Sequence, residues 1–96
     1  MSKKGYWIAL IDVRDPEIYK QYIEANAKAF AKYGAKFIVR AGRHENPEKP
    51  TGNRHVVVEF ESYDVAVACY HSPEYQEASK FRVAASTGHF VIVEGA

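Results

Sequence analysis

The stretch Gly5–Val13 (GYWIALIDV) is apolar on both of its sides. Its aromatic and β-branched residues mark a strand, and a strand sends successive side chains to opposite faces. Tyr6, Ile8 and Leu10 fall on one face, and Trp7, Ala9, Ile11 and Val13 on the other. A strand near the other end, His89–Glu94 (HFVIVE), repeats the pattern, with Phe90 and Ile92 opposed to Val91 and Val93. A sheet with one wet face alternates apolar with polar residues. A chain carrying these two strands must therefore cover both faces of its sheet.

The elements between them are legible. Asp15-Pro16-Glu17 starts a helix: Asp15 caps, Pro16 suits the first helical position, and Glu17 favours the positive end of the dipole. Ile18, Tyr19, Tyr22, Ile23, Asn26, Phe30 and Tyr33 recur at steps of three and four, and Gly34 ends one continuous helix. Lys36–Arg43 (KFIVRAGR) and Arg54–Glu61 (RHVVVEFE) read as a second and third strand, joined by the Pro- and Gly-containing loop His44–Asn53. Ser62 caps a helix over Tyr63–Tyr70, and Ser72-Pro73-Glu74 opens another helical stretch carrying Tyr75, Ala78, Phe81 and Arg82. Gly88 precedes the last strand.

The order β-α-β-β-α-β predicts an α+β, ferredoxin-like fold, a four-stranded antiparallel sheet with helices on one face, in a single domain over residues 1–96. The helices cover one apolar face and leave the other bare, and a second copy of the chain is the simplest cover. The expectation is a homodimer with two sheets face to face, closing a dimeric α+β barrel.

Composition excludes several classes. Lys plus Arg number 13 against 12 Asp plus Glu, a net charge of +1, and no basic run exceeds Lys3-Lys4, so nucleic acid is not an expected partner. The longest apolar runs, such as Ile8–Ile11, fall far short of the roughly 20 residues that span a bilayer. No apolar secretory core follows the N-terminal lysines. The single cysteine, Cys69, rules out an internal disulfide framework and suits a cytoplasmic setting.

Gly5-Tyr6-Trp7, Asp15-Pro16-Glu17, Tyr33-Gly34, Arg40-Ala41-Gly42, Glu59-Phe60, Tyr70-His71-Ser72-Pro73-Glu74-Tyr75, Arg82 and Val93-Glu94-Gly95 together resemble the domain-of-unknown-function 1330 family, over nearly the whole chain. The resemblance implies the dimeric α+β barrel fold, whose members include cofactor-free monooxygenases and isomerases. The family has no established reaction. Two positions depart from its pattern: Ala41 stands where the family has the first glycine of Arg-Gly-Gly, and Lys49 follows Glu48 where the family has Glu-Gly.

Strand alternation sets Phe37 and Val39 on one face of the second strand and Ile38 and Arg40 on the other, and His55, Val57 and Glu59 opposite Val56, Val58 and Phe60 on the third. On that reading Arg40 and Glu59 share the dimer face. Either they pair there and set the register between subunits, or Arg40 binds an anionic ligand within the barrel. Between sheet and helices, Tyr22, Asn26, Tyr70, His71 and Arg82 are candidates for a small-molecule site. Seven tyrosines suit such a pocket equally as core residues with hydroxyls at the surface.

His71 is a candidate general base, or a solvated residue at a helix end. His44 and His55 flank the loop with Glu45 and Glu48, but no fixed ligand spacing such as His-Glu-x-x-His joins them, so no metal is expected. Cys69 sits among Ala66, Val67 and Ala68 and reads as a small core residue. No nucleophile elbow, phosphate loop or dinucleotide fingerprint is present, and no cofactor is expected. Two functions stand: a small-molecule-binding protein, with cofactor-independent catalysis on a modest organic acid or aromatic compound left open, or a non-catalytic homodimeric binding or assembly module.

Overall fold

The computed structural model describes residues 3–96, and the first two residues of the domain read from the sequence lie outside the described residues. The elements follow in the order β1 (Gly5–Val13), α1 (Pro16–Ala25), α2 (Ala27–Tyr33), β2 (Lys36–Arg40), β3 (Arg54–Phe60), α3 (Tyr63–His71), α4 (Pro73–Ala85) and β4 (Ser86–Glu94). The strands form one four-stranded antiparallel sheet in the order β2-β3-β1-β4. The fold is α+β and ferredoxin-like. Among the described residues no helix is long and apolar enough to cross a membrane.

Local chemistry places the helix starts. Asp15 accepts from the Ile18 amide at 3.2 Å, Ser62 from Val65 at 3.2 Å and Ser72 from Tyr75 at 3.2 Å, each filling an otherwise orphaned donor of a first turn. Pro16 and Pro73 take the first helical positions after Asp15 and Ser72. Gly34 adopts the left-handed conformation (φ 66°) that closes α2.

The helices cover the face of β1 that carries Trp7, Ala9 and Ile11, which with Val58 and Phe60 of β3 make the sheet side of the core. Trp7 is the hub. Its ring centre lies within 5.4 Å of those of Phe30, Phe60, Tyr75 and Phe90. Its indole N–H donates to the Ala66 carbonyl at 2.9 Å, which fastens α3 to β1. On the opposite face Tyr6, Ile8 and Leu10 stand beside Val57, Glu59, Val91 and Val93, with Val91 and Val93 well exposed.

Four expectations need correction. The predicted continuous helix is two, because Asn26 ends α1 and starts α2. Asparagine is a weak helix former, and this one makes no side-chain cap. The second strand stops at Arg40 rather than Arg43, since Ala41 turns into the left-handed region (φ 53°). The last strand begins at Ser86, directly after α4.

The fourth correction concerns side rather than length. Phe37 pairs with Val58 but Val39 pairs with Val57, so a bulge at Ile38 inserts one extra residue into β2. Beyond it the alternation is inverted. Val39 joins the outer face, and Arg40, opposite Val56, joins the helix side. Contrary to the plain alternation of β2, Arg40 therefore does not share the outer face with Glu59. Glu59 instead accepts from the Tyr6 hydroxyl at 3.0 Å.

Candidate functional site

A cleft opens between the sheet and α1, α2 and α4. In successive rows across the inner sheet face, Trp7 lies level with Phe37 and Val58, Ala9 with Val56 and Phe90, and Ile11 with Arg54 and Gly88. The middle row is built on alanine and valine at the central strands, and that shortage of side-chain volume leaves the space. Its lining includes Trp7, Ala9, Phe30, Phe37, Val56 and Phe90 from the apolar side, and Tyr19, Tyr22, Asn26, Arg40, Arg54 and Arg82 from the polar side. The enclosed space is about 30 Å³, room for about two water molecules.

Each polar group has a structural reason to be there. Tyr19 and Tyr22 lie on the buried stripe of α1, and the Tyr22 hydroxyl shares a 2.8 Å hydrogen bond with that of Tyr75. Asn26 is buried at the joint between α1 and α2. Arg40 arrives through the β2 bulge, its guanidinium carbon 4.2 Å from the centre of the Phe37 ring. Arg54 begins β3, held against β1 because the Asn53 amide copies a strand residue: it accepts from the Val13 N–H at 2.8 Å and donates to the Val13 carbonyl at 3.1 Å. Arg82 comes from the last turns of α4, whose Ala85 carbonyl takes the Arg14 and Asp15 amides at the end of β1.

The electrostatics are one-sided. Among the described residues, the ion pairs are Lys4–Glu61, Arg14–Asp12, Lys32–Glu74 and Lys80–Glu77, and none uses Arg40, Arg54 or Arg82. The lining contains no carboxylate. Burial pushes the Tyr22 hydroxyl well above its ordinary range, and the neighbouring Tyr75 adds to that. Burial also raises Tyr19 and Tyr75, while Arg54 pulls Tyr19 back and Arg82 pulls Tyr75 back. The phenols thus stay neutral at physiological pH and do not offset the guanidinium charges. The Nε atoms of Arg54 and Arg82 are shielded from solvent and have no hydrogen-bond partner.

Of the candidates read from the sequence, Tyr22, Asn26, Arg40 and Arg82 line this cleft. Tyr70 does not; it packs behind it, with ring centres 6.0 Å from Trp7 and 5.4 Å from Phe90. His71 is exposed at the end of α3, its ring against Tyr70. Arg54 and Tyr19 belong to the cleft and were missed. The signal for Arg54 was present, since it shares parity with Val56, Val58 and Phe60. His44 and His55 have ring centres 4.3 Å apart, and among the described residues no cluster of three or more His, Cys, Asp or Glu side chains surrounds a metal-sized space. The Cys69 thiol is pushed up to about 12 by burial and by nearby Glu74, which disfavours its thiolate.

The family described as "Domain of unknown function (DUF1330)" matches residues 4–96. The chain belongs to it. Within this DUF1330 frame, solved structures with the same fold include the RPA0582 protein of unknown function from Rhodopseudomonas palustris, at TM-score 0.80 and 19% identity over 100% of this chain and 85% of that one. A dimeric ferredoxin-like protein of unknown function from Thermobifida fusca follows at TM-score 0.65 and 20% identity, covering 100% of this chain and 92% of that one. SnoaB from Streptomyces nogalater, a cofactor-independent oxygenase, matches at TM-score 0.66 and 14% identity over 99% and 95%. These identities establish the fold alone. No curated protein matches the chain.

Proposed function

We propose that this DUF1330 chain binds a small organic molecule in the cleft between its sheet and its helices, as one half of a homodimer built through the outer sheet face. The observation that carries the reading is the turning of polar side chains into an apolar cleft. The Asn26 amide is buried there without a capping role, and two guanidinium Nε atoms are buried without partners. Buried polar groups normally find partners, and a few convergent polar groups in an apolar pocket are the usual makings of a ligand site.

The dimer is supported by the apolar outer face of β1 and β4 and by the dimeric state of the Thermobifida fusca neighbour. Cofactor-free catalysis is supported at the level of fold alone, by SnoaB. One observation favours the second reading, an assembly module without a ligand: the cleft as it stands encloses only about 30 Å³.

A thermal-shift screen of carboxylic acids, phenols and neutral aromatics tests the proposal, with the fluorescence of Trp7, the chain's single tryptophan, as a local readout. A cleft ligand raises the melting temperature, changes the Trp7 emission, and does neither in Ala9→Leu, whose added volume fills the middle row. Compounds that stabilise the Ala9→Leu protein equally, or no response across the library, overturn it in favour of the assembly module.

A further inference from the structure

The arginines of the cleft are arranged for one kind of ligand. Arg54 has its guanidinium carbon 5.2 Å from the centre of the Tyr19 ring, and Arg82 lies 5.0 Å from that of Phe90. Stacking of this kind uses the face of the guanidinium plane and leaves its edge for hydrogen bonds, which Arg54 shares with Tyr19 and Arg82 with Tyr75. On both residues the Nε of that edge is withdrawn from water and unpartnered. A guanidinium edge matches the two oxygens of a carboxylate in a bidentate pair.

The surroundings argue against two other anions. A phosphate site usually adds backbone N–H groups from a helix N-terminus or a glycine loop. Here no glycine loop lines the cleft, the start of α1 is already capped by the Asp15 carboxylate, and α2, which starts at the lining residue Asn26, is a helix of seven residues. A bare inorganic ion, in turn, has no use for the aromatic half of the cleft. That half is made by Trp7, Phe30 and Phe37, next to the open row at Ala9. The cleft is thus divided into a cationic end and an aromatic end.

Resting on the reading of this cleft as a ligand site, we propose that its ligand is an organic carboxylate with a compact apolar body, the carboxylate taken by the guanidinium edges of Arg54 and Arg82 and the body lying over Ala9 among Trp7, Phe30 and Phe37. The enclosed space of about 30 Å³ takes about two water-sized groups, less than the whole ligand. The body then enters as Arg40, which is exposed at the rim, swings away from Phe37.

The experiment is a Trp7 fluorescence titration of the whole chain, at constant ionic strength, with phenylacetate, phenylacetamide and inorganic phosphate. Phenylacetate is expected to bind at least about tenfold more tightly than the uncharged amide, as a charge-assisted bidentate pair requires. Arg54→Gln and Arg82→Gln are expected to erase that preference while leaving the amide's weak binding in place, which also certifies that each variant is folded. Arg82→Lys, which keeps the charge and loses the fork, is expected to lose most of it. Equal binding of amide and carboxylate overturns the carboxylate class and leaves the small-molecule reading of the cleft standing. Phosphate binding more tightly than phenylacetate overturns it in favour of an inorganic-anion site. A preference that survives in both glutamine variants places the anion elsewhere and overturns the assignment. No response to any of the three also overturns it, and the library screen then shows whether the small-molecule reading falls with it.

Discussion

The Trp7 indole N–H reaches across the core to the Ala66 carbonyl, 2.9 Å away, and is the link by which the first strand holds the third helix. Both residues are essentially without solvent exposure. Trp7→Phe removes the hydrogen bond and part of the ring that five aromatic neighbours pack against. The expected cost is about 2–4 kcal/mol, read as a lower urea midpoint with an unchanged far-ultraviolet spectrum.

The Tyr22 and Tyr75 hydroxyls satisfy one another at 2.8 Å inside the core. Tyr22→Phe strands the Tyr75 hydroxyl, and its expected cost is about 1–2 kcal/mol. Adding Tyr75→Phe removes the stranded partner, so the double variant is expected to be less destabilised than the sum of the singles. Additive losses in a double-mutant cycle would show that the two hydroxyls do not interact.

The same pair predicts an alkaline limit. Both phenols have folded-state values above the ordinary 10.0, so the folded protein holds their protons more tightly than the unfolded chain. Their contribution is full below the unfolded value and is lost as pH rises past it toward the raised folded value. Unfolding free energy is therefore expected to fall above about pH 10. The loss should be smaller in the Tyr22→Phe/Tyr75→Phe variant, which has neither proton to lose. Denaturant midpoints measured from neutral to strongly alkaline pH check this.

Ala41 sits at φ 53°, where a β-carbon is strained. A glycine there has no such cost. Ala41→Gly is accordingly expected to stabilise the chain by about 0.5–1 kcal/mol, visible as a raised melting temperature.

Val91 lies opposite Ile8 on the outer sheet face and is half exposed. If that face joins two copies, Val91→Lys sets a charge in the interface and is expected to give a monomer by sedimentation, with the fold intact. Arg40→Ala, a change on the helix side, is expected to leave association untouched. A Val91→Lys dimer would remove the outer face from consideration.

The sequence by itself determined the order of strands and helical stretches, the starts of α1, α3 and α4, and the buried side of β1. Each of these depends on chemistry within a few positions: the Asp15, Ser62 and Ser72 caps, the prolines after Asp15 and Ser72, and the alternation of Trp7, Ala9 and Ile11. It also determined that β1 and β4 are apolar on both faces. What it left undecided depends on pairing between distant segments. The bulge at Ile38 exists only because β2 pairs with β3 in a shifted register, and no local pattern marks it. That one residue carries Arg40 from the outer face to the helix side, where it lines the cleft over Phe37. Arg54 shares the parity of its strand's core residues, but its convergence with Arg82 is a matter of sheet order and of how α4 returns to the end of β1. The cationic lining of the cleft is thus a product of tertiary structure, drawn from positions far apart in the chain that face one cleft only once the sheet has formed.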